Sequence, residues 1–298
     1  MKRKLEISEF IFKLISYLLL TMFAIGCLYP FIYTISSAIS GYEEVRDAKI
    51  VLFPKNIQFD AFKDEFNDNV FWNSYTNTLF ITFYGTIWQM IISVFGAYAL
   101  SKKRLLFRKG FNFFLVFTMW FSAGMVPQYL NYLATKRNFQ KVGITDDKWL
   151  VVIAMGMAAM NIILLRNAFE RVPSEIEEAA IVDGATEMQI LRKVYLPMSK
   201  SILATVALFF GISRWNGYFW SRQMISNTNE QPLQVYLRLR LEEYSDPELT
   251  TNWQLSHSYA PDSIIYALIV CSIIPILVIY PFIQKYFAKG VNMGGVKE

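Results

Sequence analysis

The chain has 298 residues, 54% of them hydrophobic, with 25 phenylalanines and a mean hydropathy of +0.30. Soluble domains average about 45–50% apolar residues even with glycine counted, so this composition excludes an ordinary soluble fold and points to a membrane protein. The net charge of +5 does not indicate a nucleic-acid binder, because the basic residues are spread over several linkers rather than gathered in one patch.

Taken in chain order, six stretches are apolar enough to cross a ~30 Å hydrocarbon core as helices. They are 14–42, 69–101, 110–135, 149–165, 201–221 and 263–284, and only Arg214 in the fifth carries charge. The fourth is the shortest. The start, MKRKLEISEFIFKLISYLLL, has the basic and apolar regions of a signal peptide, but no small-x-small site follows. It reads as an uncleaved first helix.

Between the stretches the linkers alternate in character. The 37–73 linker carries seven acidic residues against four basic ones and contains Pro54, as an ordered external loop does. SKKRLLFRKG, 101–110, is short and basic, as suits a turn on the inner side. The 219–262 linker is polar and aromatic, with the turn-prone NTNEQPLQ, and reads either as a solvated external loop or as a docking surface for an extracytoplasmic partner. Seventeen of the lysines and arginines lie on the side that includes both chain ends, and 12 lie in the longer alternate linkers. That density places both termini, including a 285–298 tail, in the cytoplasm, although the 136–148 linker runs against the bias. The expectation is an all-α membrane protein of six transmembrane helices forming a single transmembrane domain over 1–298.

Cys27 and Cys271 fall within apolar spans and read as packing residues rather than a disulfide or metal pair. The single His257 reads as an exposed loop residue and cannot by itself build a histidine-based metal site. No repeat of solenoid period, phosphate loop or dinucleotide fingerprint is present, so ATP, if used, is bound by another chain.

One linker stands apart. The 35 residues 166–200, with six acidic and five basic side chains, are locally well specified. Pro173 marks a break, Ser174 with Glu177 has the spacing of a capping box, and Ile176, Ala179 and Ala180 line one edge of a short helix. Asp183-Gly184 ends it. Thr186 with Gln189 then starts a second helix, whose stripe of Met188, Leu191, Val194 and Tyr195 stops at Leu196-Pro197. The result is a two-helix cytoplasmic knuckle between helices 4 and 5. An amphipathic segment lying on the membrane is the plainer alternative, but it calls for basic residues in excess, which are absent here. Two caps around a glycine corner suit docking into a protein groove.

The residues Glu178-Ala179-Ala180, then Gly184, Val194, Leu196 and Pro197, resemble the EAA-x3-G-x9-I-x-LP loop of binding-protein-dependent ABC importer permeases, with Val in place of the usual Ile. The longer run EAAIVDGATEMQILRKVYLPMSK is similar to the maltose-type carbohydrate branch. NSYTNTLF, GAYALSKKRL and YPFIQKYFAKGVNMGGVKE look like the subgroup that includes transporters of alginate and other uronate-containing oligosaccharides. The resemblance implies a type I importer permease of a bacterial cytoplasmic membrane, not an enzyme. It implies that Glu178, Ala179, Ala180, Asp183, Gly184, Leu196 and Pro197 form the coupling contact with an ATPase. It further implies a second permease subunit of different sequence, two ATPase subunits holding ATP and magnesium, an extracytoplasmic solute-binding protein, and a contact from the tail, Gly290 to Glu298. This chain itself would carry no cofactor.

For the substrate pathway, Arg214 faces a cavity or pairs within the protein if it lies inside span five. If the span ends at Ser213, it anchors at the headgroups instead. Beside it, Trp215, Asn216, Tyr218 and Trp220 offer the aromatic faces and the amide that carbohydrate sites use. Gln89 and Asn161 lie within spans two and four, as lining residues or as helix–helix hydrogen bonds. A pathway-facing arginine would suit an acidic sugar. An ion- or proton-coupled secondary transporter would need Asp, Glu or His inside the spans, as would a membrane-embedded enzyme, and these spans have none.

Overall fold

In a computed structural model, residues 7–246 and 253–291 are described; parts of the 219–262 linker and of the tail, including 292–298, lie outside them. Every regular element among the described residues is helical. Helix α1 (Ile7–Ala38) leads through α2 (Tyr42–Arg46) and α3 (Asp60–Asn67) to the 33-residue α4 (Asn69–Ser101). Then come α5 (Arg108–Trp120), α6 (Met125–Lys141), α7 (Asp147–Ala154), α8 (Ala159–Phe169) and α9 (Ser174–Val182). Helix α10 (Glu187–Ile190) continues through a π turn, Leu191–Tyr195, into α11 (Leu196–Met198). The chain closes with α12 (Lys200–Trp215), α13 (Tyr218–Met224), α14 (Leu233–Tyr244), α15 (Trp253–Ser256) and α16 (Pro261–Val291).

Three helices have the length and hydropathy of a straight span: Glu9–Ala38, Asn69–Ser101 and Pro261–Pro281. The other three apolar stretches are broken or, for 201–221, entered through a bend. Helices α5 and α6 meet at 113°, α7 and α8 at 51°, and the Glu187–Met198 run meets α12 at 87°. The breaks have local causes: Gly124 and Gly156 adopt the left-handed φ values of +85° and +59°, and Ser199 follows Pro197 closely. A hydropathy reading runs straight through the two glycines, because they sit among apolar neighbours.

The chain divides into two compact units. In the unit of Met1–Asn69 with Leu237–Ile274, Val45, Ile50 and Ala260 are buried beneath Tyr33, Tyr42 and Tyr266. The acidic α3 is held by hydrogen bonds there: Ser258 donates to Asp60 at 2.6 Å and Tyr259 donates to Asp64. His257 is half-buried rather than exposed, with its ring stacked on Trp253 at 3.8 Å. Cys271 is buried as a packing residue should be, whereas Cys27 lies exposed on α1, most of whose apolar residues before Tyr33 are exposed among the described residues.

The unit of Val70–Tyr236 with Pro275–Glu298 contains both regions singled out in the sequence. One core gathers Ile81, Tyr132, Leu150, Val151, Met224 and Ile225. A second gathers Ala97, Tyr98, Ile162, Leu165, Phe169, Ile190, Leu191 and Tyr195 with Val206 and Phe210 of α12. The start of the 219–262 linker is an ordered structure tied to α4 and α7. Asn77 donates to the Asn229 carbonyl at 2.8 Å, the Leu233 amide donates to Thr78 at 2.7 Å, and the Asp147 amide donates to Glu230 at 2.9 Å. The Asp147 carboxylate takes both the Lys136 ammonium, at 2.7 Å, and the Ser226 amide. Asp147→Ala should therefore lower the midpoint of thermal unfolding in detergent, by the equivalent of about 1–3 kcal/mol, since it strands a half-buried ammonium and a backbone donor.

Candidate functional site

The knuckle expected at 166–200 is present, with one cap formed and one replaced. Thr186 and Gln189 make a complete capping box: the Gln189 amide donates to the Thr186 hydroxyl and the Thr186 amide donates to the Gln189 side chain at 2.8 Å. Gly184 takes φ +78°, with its amide bonded to the Ile181 carbonyl and the Ala185 amide bonded to that of Ala180. This is a Schellman ending, and the left-handed residue inside it carries no Cβ. The Ser174–Glu177 box does not form. Pro173 takes the cap position, and the Glu177 carboxylate is drawn away to Lys102 and Tyr195.

The second helix also differs from its expected form. It does not stop at Leu196-Pro197 but widens into the π turn and runs to Met198 before the 87° bend. A wider turn accommodates the proline ring, which clashes with the carbonyl four residues back in regular α-helix. Leu191 and Tyr195 of the expected stripe are buried, Val194 is half-buried and Met188 is exposed. Of the expected contact residues, Glu178, Ala179, Asp183, Gly184 and Pro197 are exposed, while Ala180 and Leu196 are half-buried against the second core. Ile176, Ile181 and Val182 add exposed apolar surface around the corner. Glu178 makes no ion pair among the described residues.

Beneath the corner lies a charged cluster that the sequence did not reveal. The Lys102 ammonium meets the Glu177 carboxylate at 2.6 Å, with the lysine side chain only 9% exposed. It lies over two aromatic rings, 4.2 Å from the centroid of Tyr98 and 4.0 Å from that of Tyr195, and those rings pack edge to face on each other. Tyr195 donates to Glu177 and Tyr98 donates to Glu187 at 2.7 Å, while Arg104 pairs with Glu187. Burial pushes the Glu177 carboxyl up, but hydrogen bonds from Lys102 and Tyr195 outweigh it and leave the group below its ordinary value. Glu187 is also held low, by the Tyr98 hydroxyl first and then by Arg104.

Around Arg214 the structure brings together residues from three spans. The guanidinium is 3% exposed and donates to Gln89 at 3.0 Å, to the Val151 carbonyl at 2.6 Å and to the Val152 carbonyl at 3.0 Å. Those carbonyls lie in the last turn of α7, where the α7–α8 break leaves acceptors without helical partners. Gln89 donates in turn to the Gly156 carbonyl at 2.7 Å, inside the same break. Gly85, one turn before Gln89 on α4, permits the approach: a Cβ there would lie 2.9 Å from the Arg214 Nε. Arg214 thus pairs within the protein. Asn161 and Trp215 are buried as well, and Tyr75 packs edge to face on Trp215. Tyr218 is half-buried and Asn216 exposed. A cavity of about 390 Å³ opens beside Trp215, between Leu208 and Gly211 of α12 and Pro275 and Ile279 of α16, and its nearly apolar wall does not suit a hydroxyl-rich sugar. No cluster of metal-ligating side chains occurs among the described residues.

With this geometry in hand, comparison with known proteins is decisive. Residues 9–293 match the family of the binding-protein-dependent transport system inner membrane component. The chain belongs to this family. It is 35% identical to the polygalacturonan/rhamnogalacturonan transport system permease protein of Bacillus subtilis (strain 168), over 96% of this chain and 98% of that one. It is 30% identical to the maltodextrin transport system permease protein of the same organism, over 96% of each chain. A chain in the crystal structure of a bacterial ABC transporter involved in the import of the acidic polysaccharide alginate superposes with a TM-score of 0.86, at 41% identity. That match covers 96% of this chain and 100% of that one. The fold is therefore that of a type I ABC importer permease, and the chain is a transport subunit rather than an enzyme.

Four outcomes test the geometry. Gly85→Ala should lower thermal stability by about 1–3 kcal/mol through displacement of the guanidinium, and Arg214→Lys should not substitute for arginine, because an ammonium lacks the planar fork that spans two carbonyls and an amide. Thr186→Ala should cost about 1 kcal/mol in protection of α10. Because Glu177 and Glu187 titrate below their ordinary value, their contribution is complete above about pH 4.3 and is lost as pH falls through the depressed values. Amide-exchange protection over 186–195 should hold down to that pH and decline below it.

Proposed function

We propose that the chain is one of two permeases in an importer of acidic oligosaccharides, and that its 166–200 knuckle receives the stroke of an ATPase. The exposed corner at Gly184 carries this reading: Glu178, Ala179 and Asp183 face outward on a helix pinned from beneath by Glu177. Glu178 pairs with a basic group of the ATPase, and the small residues allow close approach, with Leu196 and Pro197 bracing the second helix from behind. In this reading the chain crosses the membrane six times, with both termini, the 285–298 tail and the knuckle in the cytoplasm and 37–73 and 219–262 outside. The lysine and arginine bias supports that orientation. The working assembly contains a second permease of different sequence, two ATPase subunits that hold ATP and magnesium, and an external solute-binding protein, in the cytoplasmic membrane of a bacterium.

The substrate class rests on the relatives. Polygalacturonan, rhamnogalacturonan and alginate all carry uronate carboxylates, and the proteins that carry those names are 35% and 41% identical to this chain. Asn216 and Tyr218 border the pathway, where the ring stacks on the apolar faces of sugars and the amide bonds their hydroxyls, with the buried Trp215 behind them. Arg214 and Gln89 support that border from behind by holding the α7–α8 break, with Asn161 buried on α8.

Two measurements test the reading. In the reconstituted importer, uronate-bearing oligosaccharides should raise binding-protein-stimulated ATP hydrolysis while neutral ones do not; an equal response overturns the acidic substrate class. Gly184→Val forces a branched side chain into left-handed backbone, at about 1–2 kcal/mol. With Glu178→Lys it should abolish co-purification of the ATPase, and full retention in both variants overturns the docking role.

A further inference from the structure

Helix α9 has no fully buried residue, yet it must pass force to the membrane helices if an ATPase moves it. Its firmest connection is Glu177, whose carboxylate reaches the Lys102 ammonium one residue beyond the end of α4. That pair is shielded by the rings of Tyr98 and Tyr195, the first from the last turn of α4 and the second from the π turn. A lysine and a glutamate this shielded hold a fixed geometry, because either one left alone would be a buried charge without a partner. Glu187 repeats the connection at the start of the second helix, through Tyr98 and Arg104. Both helices of the knuckle are therefore fastened to the same end of the same span.

The far side of α4 is fastened too. Over its length it carries Asn77 and Thr78, which bind the 229–233 backbone, and Gly85 and Gln89, which grip Arg214 and the α7–α8 break. One continuous helix of 33 residues connects these points. We propose that Lys102, Glu177, Tyr98 and Tyr195 form a latch that makes the knuckle and α4 one rigid body. A stroke delivered at Gly184 then enters the membrane through α4 and reaches both the Arg214-held break and the external 229–233 segment. The four residues are positioning residues that touch neither ATP nor sugar. The inference rests on the docking role proposed above.

The test uses the complete importer with Cys27 and Cys271 replaced by serine. Lys102→Met should leave the ATPase co-purifying in normal amount while sugar delivered per ATP hydrolysed falls by about tenfold or more. Lys102→Arg, which keeps the ion pair, should recover most of that ratio. Unchanged transport per ATP in Lys102→Met with the ATPase still bound overturns the latch. In that case the docking role stands, since it fails only if Gly184→Val and Glu178→Lys retain the ATPase. A second measurement covers the case in which Lys102→Met does not assemble. In the Lys102→Cys, Glu177→Cys variant, a short thiol crosslinker restores a fixed connection. Transport retained in the crosslinked complex supports movement as one body, and transport abolished by the crosslink overturns it.

Discussion

A guanidinium and the open carbonyls of a broken helix meet at Arg214, and the middle of the second unit is organised by that meeting. Inside a membrane no water stands ready to satisfy either partner, so a charge without acceptors and a helix end without donors are each costly. Joined, they remove both penalties. Arg214 of α12 closes the last turn of α7, Gln89 of α4 closes the turn at Gly156, and Gly85 leaves room for the arginine to reach them. Three spans are thus registered against one another by polar contacts rather than by apolar packing, which between helices in lipid is weakly directional.

The same requirement operates beneath the 166–200 knuckle, where a lysine takes the place of the arginine. Lys102 is drawn under the knuckle, and the fold supplies a carboxylate and two aromatic faces to receive it. The consequence for mechanism is a division of labour within a single motif. Glu177 faces inward and anchors the first helix, while Glu178, its neighbour, faces outward and stays available to another chain. One helical turn therefore both anchors on Lys102 through Glu177 and leaves the Glu178 carboxylate exposed.

How legible this was in the sequence differs from feature to feature. The corner at Gly184 and the Thr186–Gln189 cap could be read directly, because turn and cap chemistry depends on residues three or four apart. The Ser174–Glu177 cap was misread for an instructive reason: the local pattern is correct, but Lys102, 75 residues away, competes for the same carboxylate. The two glycine breaks were hidden because hydropathy averages over a window and a glycine among apolar residues barely lowers it. Gly85, Gln89 and Arg214 gave no joint signal, since they lie on two helices more than 120 residues apart in the chain.

The sequence by itself determined that this chain is a helical membrane protein, where its apolar stretches lie, and that a specified, charge-balanced knuckle interrupts them. Those are properties of composition and of short-range periodicity, which need no partner from elsewhere in the chain. Only the tertiary structure decided which charges face inward and which are left for others. Whether Glu177 or Glu178 anchors the helix, and whether Arg214 meets a sugar or a carbonyl, depends on which distant groups folding brings within hydrogen-bond reach, and a buried charge is settled by its neighbours in space.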